Sequence, residues 1–331
     1  MSLGWGIIGL GNIVRTTMAP AMIAEPDCDL VAVVSRDQGR ADGFAREFGV
    51  RHAYDDYSEL LANPEVEAVF IATPNLFHPG QVVDAASAGK HVFCDKPLAI
   101  DVADAARAVE ACRRAGVRLG VNFHNRQLPW VRDMSRLIAD GAIGGVEMVQ
   151  VQVGSGPRHY DNWRADPKIA GLGTVHNVGV HGLDFLRVIL AADPIEVIAM
   201  FDEGPESGNV EMLALITMRF GNGALVHYNA NERLRDPLND ITVYGTAGRI
   251  VGRSFTRSRS DGEMALLTDG GETVTRYPAP DAHRLSLAAF TRAVLAGEEP
   301  DPSGIDGLRS AQVCEAIGRS VRERRLVEVV Y

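Results

Sequence analysis

Two short segments contain residue types that could transfer a proton. In the segment Gly173–Asp184, Asn177 and His181 are four residues apart, so on a helix they would share one face, with Asp184 about one turn further on. The other segment, Asp95-Lys96-Pro97, places a lysine after an apolar run. Imidazole titrates near neutral pH, so His181 is the best candidate for a general acid, although lone helical histidines are more often structural.

A glycine turn near the N-terminus fits a phosphate-bearing cofactor. Residues Gly9-Leu10-Gly11-Asn12-Ile13-Val14 match the first two glycines of the dinucleotide-binding fingerprint and lack the third. Gly9 permits the tight turn, and Gly11 lets the backbone approach a pyrophosphate at the positive end of the next helix. Val14 replaces a small residue, so we expect the helix to lie slightly further from the strand. A chance glycine turn is the alternative, but the position at the start of a strand–helix unit favours a cofactor site.

The end of the second predicted strand, Val34-Ser35-Arg36-Asp37, bears on which dinucleotide binds. A carboxylate here would bind the ribose hydroxyls of NAD, but Ser35 holds that place. Arg36 could pair with a 2′-phosphate and lie against the adenine ring. Alternatively, Ser35 or Asp37 caps the next helix and Arg36 is solvated, or Asp37 rotates to bind the ribose of NAD. We expect NADP, with NAD possible.

Size and composition exclude several classes of protein. A chain of 331 residues predicts two domains, and 46% hydrophobic with 23% charged residues is typical of a soluble globular protein. The net charge of −10 argues against nucleic acid or an anionic membrane as partner. We find neither a signal-peptide pattern nor an apolar run long enough to span a membrane, so we expect a cytoplasmic protein. Four cysteines without a CxxC pair predict reduced thiols and no metal site.

The first 122 residues alternate between short apolar runs and helical patterns. Strands are predicted at Trp5–Ile8, Leu30–Val34, Ala68–Ile71, His91–Cys94 and Leu119–Val121. Helices are predicted at Ile13–Ala24, Arg40–Phe48, Pro79–Ala88 and Val102–Ala115. This alternation is typical of a parallel sheet covered by helices on both faces. We therefore expect an α/β fold, with a doubly wound Rossmann domain over residues 1–122 and Lys96 at the carboxyl edge of its sheet.

After Phe123 the pattern changes to consecutive strands. They are predicted at Val146–Val153, Ile195–Phe201, Met212–Phe220, Ala224–Asn229, Ile241–Tyr244 and Met264–Leu267. Helices are predicted at Pro129–Asp140, His283–Ala296 and Gly307–Arg322. Strands without intervening helices indicate antiparallel pairing. We expect residues 123–331 to form an α+β domain with a large, mainly antiparallel open sheet that binds substrate and forms oligomers.

Together these motifs resemble the glucose–fructose oxidoreductase, inositol dehydrogenase and MocA family (GFO/IDH/MocA). The resemblance covers essentially the whole chain and rests on Gly6–Asn12, Ala72-Thr73-Pro74-Asn75 with His78, Gly89–Val92 leading to Asp95-Lys96-Pro97, and Gly179-Val180-His181 with Asp184. Within the family, the chain looks most similar to NADP-dependent 1,5-anhydrofructose reductases and related sugar reductases at Ser35-Arg36, Trp163-Arg164 and Asp240–Gly252.

The resemblance implies roles for individual residues. Lys96, before a cis proline bond, would contact the nicotinamide ribose and the reacting oxygen, and His181 would protonate the developing alkoxide. The resemblance also implies cofactor contacts for Thr73, Asn75 and His78 on the nicotinamide side and for Trp163 and Arg164 over the cofactor. The structural alternatives are a surface lysine, a strand-end turn capped by threonine, and a packed tryptophan beside a solvated arginine.

Asn177 stands where many dehydrogenases of this family carry aspartate. An aspartate would favour the protonated forms of His181 and Lys96, whereas asparagine can only form hydrogen bonds. Either Asn177 orients a polar substrate while His181 and Lys96 share the proton work, or the activity is altered or lost. We expect the first. Asp95 and Val14 also depart from the family pattern, and Asp184 is expected to brace the helix rather than to bond His181.

The function expected is hydride transfer between nicotinamide C4 and a carbonyl or alcohol of a sugar, anhydrosugar or polyol. The alternatives are the NAD-dependent glycosidase chemistry of some relatives and a non-catalytic nucleotide-binding regulator, which the presence of Lys96 and His181 disfavours. Relatives often pair through the open sheet, so we expect a homodimer or homotetramer. Its outer face is expected to carry Glu147, Val149 and Val151 or their neighbours.

Overall fold

The computed structural model describes residues 2–203, 207–256 and 260–331, which form two compact units. The first comprises Met1–Asn122 with His283–Leu308, and the second Phe123–Ala282 with Arg309–Tyr331. The segment His283–Leu308 therefore belongs to the first unit, not to the second domain as the sequence pattern predicted. The reason is aromatic packing, since Phe290 lies 4.9 Å from Phe93 and 5.6 Å from Trp5 between ring centroids.

The first unit is built on a six-stranded parallel sheet with strand order β3-β2-β1-β4-β5-β6. The strands are β1 (Leu3–Ile8), β2 (Cys28–Val34), β3 (His52–Tyr54), β4 (Ala68–Ile71), β5 (His91–Cys94) and β6 (Leu119–Val121). The helices are α1 (Ala19–Ala24), α2 (Gln38–Phe48), α3 (Tyr57–Ala62), α4 (His78–Ser87) and α5 (Val102–Ala115), with α9 (Ala282–Ala296) joining from later in the chain. This order confirms the predicted Rossmann sheet.

The first strand–helix connection contains a widened helical turn. A π turn (Val14–Met18) lies between the glycine turn and α1, and single π turns inside helices are frequent at functional sites. Val14 is fully buried in the core of this unit, together with Trp5 and Phe44. The larger side chain at the third fingerprint position therefore coincides with a local departure from regular α-helix.

The second unit is built on a nine-stranded sheet with strand order β14-β13-β12-β11-β7-β10-β9-β8-β15. The strands are β7 (Val146–Gly154), β8 (Pro194–Phe201), β9 (Leu213–Phe220), β10 (Leu225–Asn231), β11 (Ile241–Gly245), β12 (Gly248–Arg253), β13 (Gly262–Thr268), β14 (Gly271–Tyr277) and β15 (Val327–Glu328). The helices after β6 are α6 (Pro129–Ala139), α7 (Pro167–Ala170), α8 (Val180–Leu190) and α10 (Gly304–Glu323). All pairs are antiparallel except β7–β10, so the predicted mainly antiparallel sheet is confirmed.

The two faces of this sheet are the reverse of those expected along β7. Val149, Val151 and Val153 are buried, whereas Met148 and Gln150 are exposed. The assignment of Val149 and Val151 to the outer face was therefore wrong. A strict alternation separates the two faces of a strand, but it does not say which face covers the core.

No helix in the described part of the chain is long and apolar enough to cross a membrane. Within the same residues, no cluster of three or more histidine, cysteine or acidic side chains could hold a metal ion. All four cysteines carry free thiols, and burial is the main cause that raises the pKa of each.

Candidate active site

The parallel sheet brings four predicted site loops to one edge. Val34, Ile8, Ile71 and Cys94 lie opposite one another in register on β2, β1, β4 and β5. The backbone hydrogen bonds between neighbouring strands continue one residue beyond each strand. The Gly9 N–H donates to the Val34 carbonyl at 3.2 Å, and the first residues of the next two loops donate to their neighbouring strands in the same way. The loops that begin at Ser35, Gly9, Ala72 and Asp95 therefore follow one another along the carboxyl edge of the sheet.

The two glycines of the fingerprint meet different requirements. Gly9 has φ +95°, and a Cβ there would lie 2.9 Å from the carbonyl oxygen of Ala72, so only glycine fits. A Cβ on Gly11 would meet no heavy atom within 4 Å. The first glycine thus serves the turn against the neighbouring loop, and the second leaves space beside the backbone, as a phosphate group requires.

Two arginines follow β2, Arg36 in the loop and Arg40 in the first turn of α2. The Asp37 carboxylate caps α2 by accepting the Arg40 backbone N–H at 2.8 Å, so the capping alternative holds for Asp37. Arg36 is exposed and forms no ion pair with any residue that the structure describes. Arg40, which the sequence analysis overlooked, donates from its guanidinium to the carbonyl of Leu10 inside the glycine turn.

His78 connects the loops after β4 and β5. It is buried, and its ring nitrogens lie 2.8 Å from the Pro97 carbonyl oxygen and 2.8 Å from that of Thr73. Burial lowers the pKa of His78, and the neutral ring has one N–H to donate to either carbonyl. His78 therefore holds the two loops in register rather than offering an exposed atom to a cofactor.

The remaining predicted residues of the first unit surround this connection. The Lys96–Pro97 bond is cis, as the resemblance implied, and Lys96 is half-buried. Thr73 donates its hydroxyl to Gln81 at 2.6 Å, and the buried Asn75 begins a 3-10 turn whose other residues are exposed.

In the second unit, a π turn followed by α8 positions Asn177 and His181. The π turn is Val175–Gly179, so the regular helical spacing assumed for the two residues does not apply throughout, although they remain about one turn apart. At its start the buried Glu211 carboxyl accepts the backbone N–H groups of Gly173 (2.7 Å) and Val175 (2.9 Å). Burial raises the pKa of Glu211 to about 7.

A buried ion pair braces α8 against the preceding 3-10 turn, His124–Gln127. Arg126 binds both oxygens of Asp184, with Nε 3.0 Å from Oδ2. The pair supports the bracing role expected of Asp184. The same turn places the ring of His124, which the sequence analysis overlooked, edge-on to His181 at 4.4 Å between centroids.

Asn177 lies in a polar network that its sequence position did not reveal. Its amide nitrogen donates to Tyr160 Oη at 2.8 Å and to Glu232 Oε1 at 2.7 Å. Tyr160 and Glu232 are 72 residues apart in the sequence, with α7, α8 and strands β8 to β10 between them, so no local spacing marks the pair. Elsewhere in this unit, the Arg164 guanidinium stacks on the Trp163 ring at 4.3 Å, which makes the two predicted cofactor residues one cation–π unit.

Comparisons with known proteins agree with this geometry. Residues 3–123 match a family model described as "Oxidoreductase family, NAD-binding Rossmann fold", and residues 131–251 match the "GFO/IDH/MocA C-terminal domain". The chain belongs to the GFO/IDH/MocA family. It is 31% identical to 1,5-anhydro-D-fructose reductase from Ensifer adhaerens over 98% of both chains.

Two solved structures extend the likeness of this GFO/IDH/MocA protein. Aldose-aldose oxidoreductase from Caulobacter crescentus, complexed with glycerol, superposes with a TM-score of 0.91 at 28% identity, covering 99% of this chain and 100% of that one. A 3-ketoreductase from Actinomadura kijaniata, in complex with NADP and TDP-benzene, gives 0.87 at 25% identity over 97% and 98% of the two chains. The predicted family, fold and enzyme class are thereby confirmed, and the protein is an NAD(P)-dependent oxidoreductase.

The residues of the first unit fit the dinucleotide of a GFO/IDH/MocA enzyme. The open space at Gly11 admits a pyrophosphate, and Arg36 and Arg40 bring positive charge to the loop after β2. The half-buried Lys96 lies in the loop after β5, two strands from the glycine turn. This arrangement spans the length over which a dinucleotide lies along a parallel sheet.

Proposed function

We propose that the chain is an NADP-preferring reductase or dehydrogenase that acts on a carbonyl or alcohol of a sugar, anhydrosugar or polyol. The observation that carries the proposal is the register of Val34, Ile8, Ile71 and Cys94, which aligns the four loops of a dinucleotide site along one sheet edge. The names of the relatives supply the substrate class, since they include a reductase of 1,5-anhydro-D-fructose and an aldose-aldose oxidoreductase.

The preference for NADP follows from the charges after β2. No carboxylate is available there for the ribose hydroxyls of NAD, because Ser35 replaces it and Asp37 is used as a helix cap. Arg36 is exposed and without an ion-pair partner among the described residues, so its guanidinium is available to a 2′-phosphate. Arg40 adds a second positive charge beside the glycine turn.

The chemistry assigned to this chain is proton transfer. When bound, the nicotinamide supplies or accepts the hydride at the substrate carbon. His181 donates a proton to the substrate oxygen during reduction and removes it during oxidation, and Lys96 offers its ammonium group to the nicotinamide ribose. Asn177 binds a substrate hydroxyl. The braced position of α8, held by Arg126 and Asp184, keeps His181 in one place.

The test is a substrate screen that follows nicotinamide absorbance. NADPH and NADH are each offered with ketoses, aldoses, anhydrosugars and inososes, and NADP and NAD with the corresponding alcohols. We expect turnover with at least one of these sugars or polyols, and faster turnover with the phosphorylated cofactor. Cleavage of a glycoside without net absorbance change would instead establish glycosidase chemistry, and cofactor binding without any turnover would establish a regulator.

We also propose that the protein is a cytoplasmic homodimer or homotetramer assembled through the outer face of the nine-stranded sheet. Exposed apolar side chains on that face support the proposal, among them Ile198, Met200, Leu215 and Leu225. The thiols support the compartment, because all four are free.

A further inference from the structure

Glu232 is a buried carboxyl group in direct contact with Asn177. It follows β10 directly and is 1% exposed. Its Oε1 accepts from Tyr160 Oη at 2.6 Å, from Ser155 Oγ at 3.0 Å and from the Asn177 amide at 2.7 Å. Its Oε2 is also buried, and within the part of the chain that the structure describes it has no hydrogen-bond partner.

This network fixes which way the Asn177 amide faces. A carboxylate oxygen can only accept, so the amide nitrogen is turned toward Glu232 and both of its hydrogens are used, one on Glu232 and one on Tyr160. Burial, together with the neighbouring Glu232, raises the pKa of Tyr160, so the phenol remains a donor. The amide nitrogen of Asn177 is therefore committed to Glu232 and Tyr160.

The carboxyl of Glu232 is bound by neutral donors, and the Arg158 side chain reaches this network through Ser155 Oγ at 3.4 Å. Asp184, on the same helix as His181, is neutralised by Arg126. Glu232 forms no ion pair with any lysine, arginine or histidine that the structure describes. Three neutral donors on one oxygen stabilise a carboxylate without cancelling its charge. A buried, unpaired negative charge acts over a longer range than one in water.

We propose that Glu232 is a positioning residue for proton transfer by His181 and supplies the negative charge that asparagine at position 177 cannot. The inference rests on the proposed function for the role of His181. Glu232 acts in two ways: it holds the Asn177 amide in one orientation, and its charge, one hydrogen bond from Asn177 on the turn before His181, favours the protonated imidazole. Asn177 and Glu232 together thus provide the hydrogen bonding and the negative charge that a single aspartate would provide at position 177.

Other titratable groups near α8 do not duplicate this charge. On the elements packed against it and on the π turn they are His124 and Arg126 in the 3-10 turn, Arg132, Asp133 and Arg136 on α6, Glu147 on β7, His227 on β10, His176 in the π turn, and Glu211 at its start. Asp133 accepts from Tyr277, and Glu147 and His227 are exposed. Glu211 uses both oxygens on backbone N–H groups. The remaining groups are cations or histidines, which oppose protonation of His181.

The direct test is an NMR titration of His181 in the full chain without substrate. Its imidazole signal is assigned by its loss in His181→Ala. In Glu232→Gln we expect the pKa of His181 to fall by on the order of one unit, because a nearby negative charge is removed. An unchanged pKa overturns the proposal. Since no substrate is needed, this result stands even if the screen finds no sugar or polyol that turns over.

A charge swap provides the rescue. Asn177→Asp combined with Glu232→Gln returns one carboxylate to the pair, so the pKa of His181 should return toward the wild-type value. Asn177→Asp alone places two buried carboxyls at hydrogen-bond distance, and they should share a proton rather than double the charge. A swap that titrates like Glu232→Gln alone would contradict the proposal.

Kinetics separate positioning from simple structural damage. With a substrate from the screen, Glu232→Gln should lower kcat roughly ten- to a hundred-fold, less than the 10²–10⁴-fold expected for loss of the acid itself. The basic limb of the pH profile for reduction should move to lower pH, and the swap should move it back. A fall in kcat with an unmoved limb would show a structural role only and overturn the proposal.

The matched control is Glu272→Gln. Glu272 is an exposed carboxylate on β14 and, among the described residues, makes no hydrogen bond or ion pair with the network, so this variant removes the same charge elsewhere on the second unit. It should leave the pKa of His181 and the pH profile unchanged. An equal shift in both variants would assign the effect to net charge and reject a specific role for Glu232.

Discussion

At the scale of single residues, the arginines that follow β2 allow the proposed preference for NADP to be tested. Arg36 is exposed and available, whereas Arg40 is already engaged with the Leu10 carbonyl. Arg36→Ala should therefore weaken NADPH binding by on the order of 1–3 kcal/mol, the cost of one charge-assisted hydrogen bond, and leave NADH nearly unchanged. Fluorescence titration with both cofactors measures the difference. Equal weakening of both would mean that Arg36 only stacks on the adenine.

A second prediction concerns His181 and Lys96, the two residues proposed to take part in proton transfer. His181→Ala and Lys96→Ala should each lower turnover, by roughly 10²–10⁴-fold for the general acid, while cofactor binding by the glycine turn remains largely intact. The measurements are kcat across pH and cofactor affinity for each variant. Near-full turnover with a normal pH profile in His181→Ala would show that Lys96 or water donates the proton instead.

The motifs could predict the residues proposed to act on substrate and cofactor but not the residues that hold them. Lys96 and His181 stand in short patterns that can be read locally. Glu232 and Arg40 carry no such pattern, because their roles arise from contacts with Asn177 and with the glycine turn. A carboxylate directly after a strand was the one available signal for Glu232, and it is too common to single out the residue.

At the scale of secondary-structure elements, Glu211 makes the stability of the π turn before α8 depend on pH. Its pKa is raised by burial to about 7, so between about pH 4.5 and 7 the folded chain holds a proton that the unfolded chain has lost. The stabilising contribution of the protonated carboxyl is therefore complete at low pH and declines as pH rises through this window.

Glu211→Gln tests this sign. The variant has no titrating group at this position, so the wild type should lose on the order of 2–3 kcal/mol of stability relative to it between about pH 5 and pH 8. Urea unfolding of both proteins at each pH provides the values. A difference that stays constant with pH would show that Glu211 does not titrate in this range.

The regular elements followed from apolar patterns, and the exceptions have physical causes. The short β3 (His52–Tyr54) and α3 (Tyr57–Ala62) were missed because three to six residues carry too little periodicity. β14 was missed because only Tyr277 of its residues is buried. The π turns at Val14–Met18 and Val175–Gly179 could not be predicted, since a widened turn leaves no mark on the spacing of apolar residues.

At the scale of the whole molecule, one segment belongs to a different structural unit from the residues that flank it in the sequence. His283–Leu308 returns to the first unit through the contacts of Phe290 with Trp5 and Phe93. The spacing of apolar residues in an amphipathic helix indicates that one face is buried, but it does not indicate which hydrophobic core that face packs against. The family models, which match residues 3–123 and 131–251, leave this segment outside both.

The outer face of the nine-stranded sheet is the surface expected to form the oligomer. One row across it runs Ile198–Thr217–His227–Gln150–Thr242, and the next pairs Met200 with Leu215. Met200 is 72% exposed, the two rows carry apolar and polar groups, and the charged residues Arg219 and Glu196 on the same face pair with each other at 2.9 Å. Such a surface can pack against a second copy about a closed symmetry axis without burying unpaired charge.

Light scattering at micromolar concentration should therefore give two or four times the 35.7 kDa mass of one chain. Met200→Glu combined with Leu215→Glu should shift the mass toward the monomer, because charges would be buried in the interface at a cost that a wetted surface does not impose. Ile23→Lys is the control, since Ile23 is 56% exposed on α1 in the first unit. A wild-type mass of one chain would reject the oligomer, and an unchanged mass in the double variant would place the interface elsewhere.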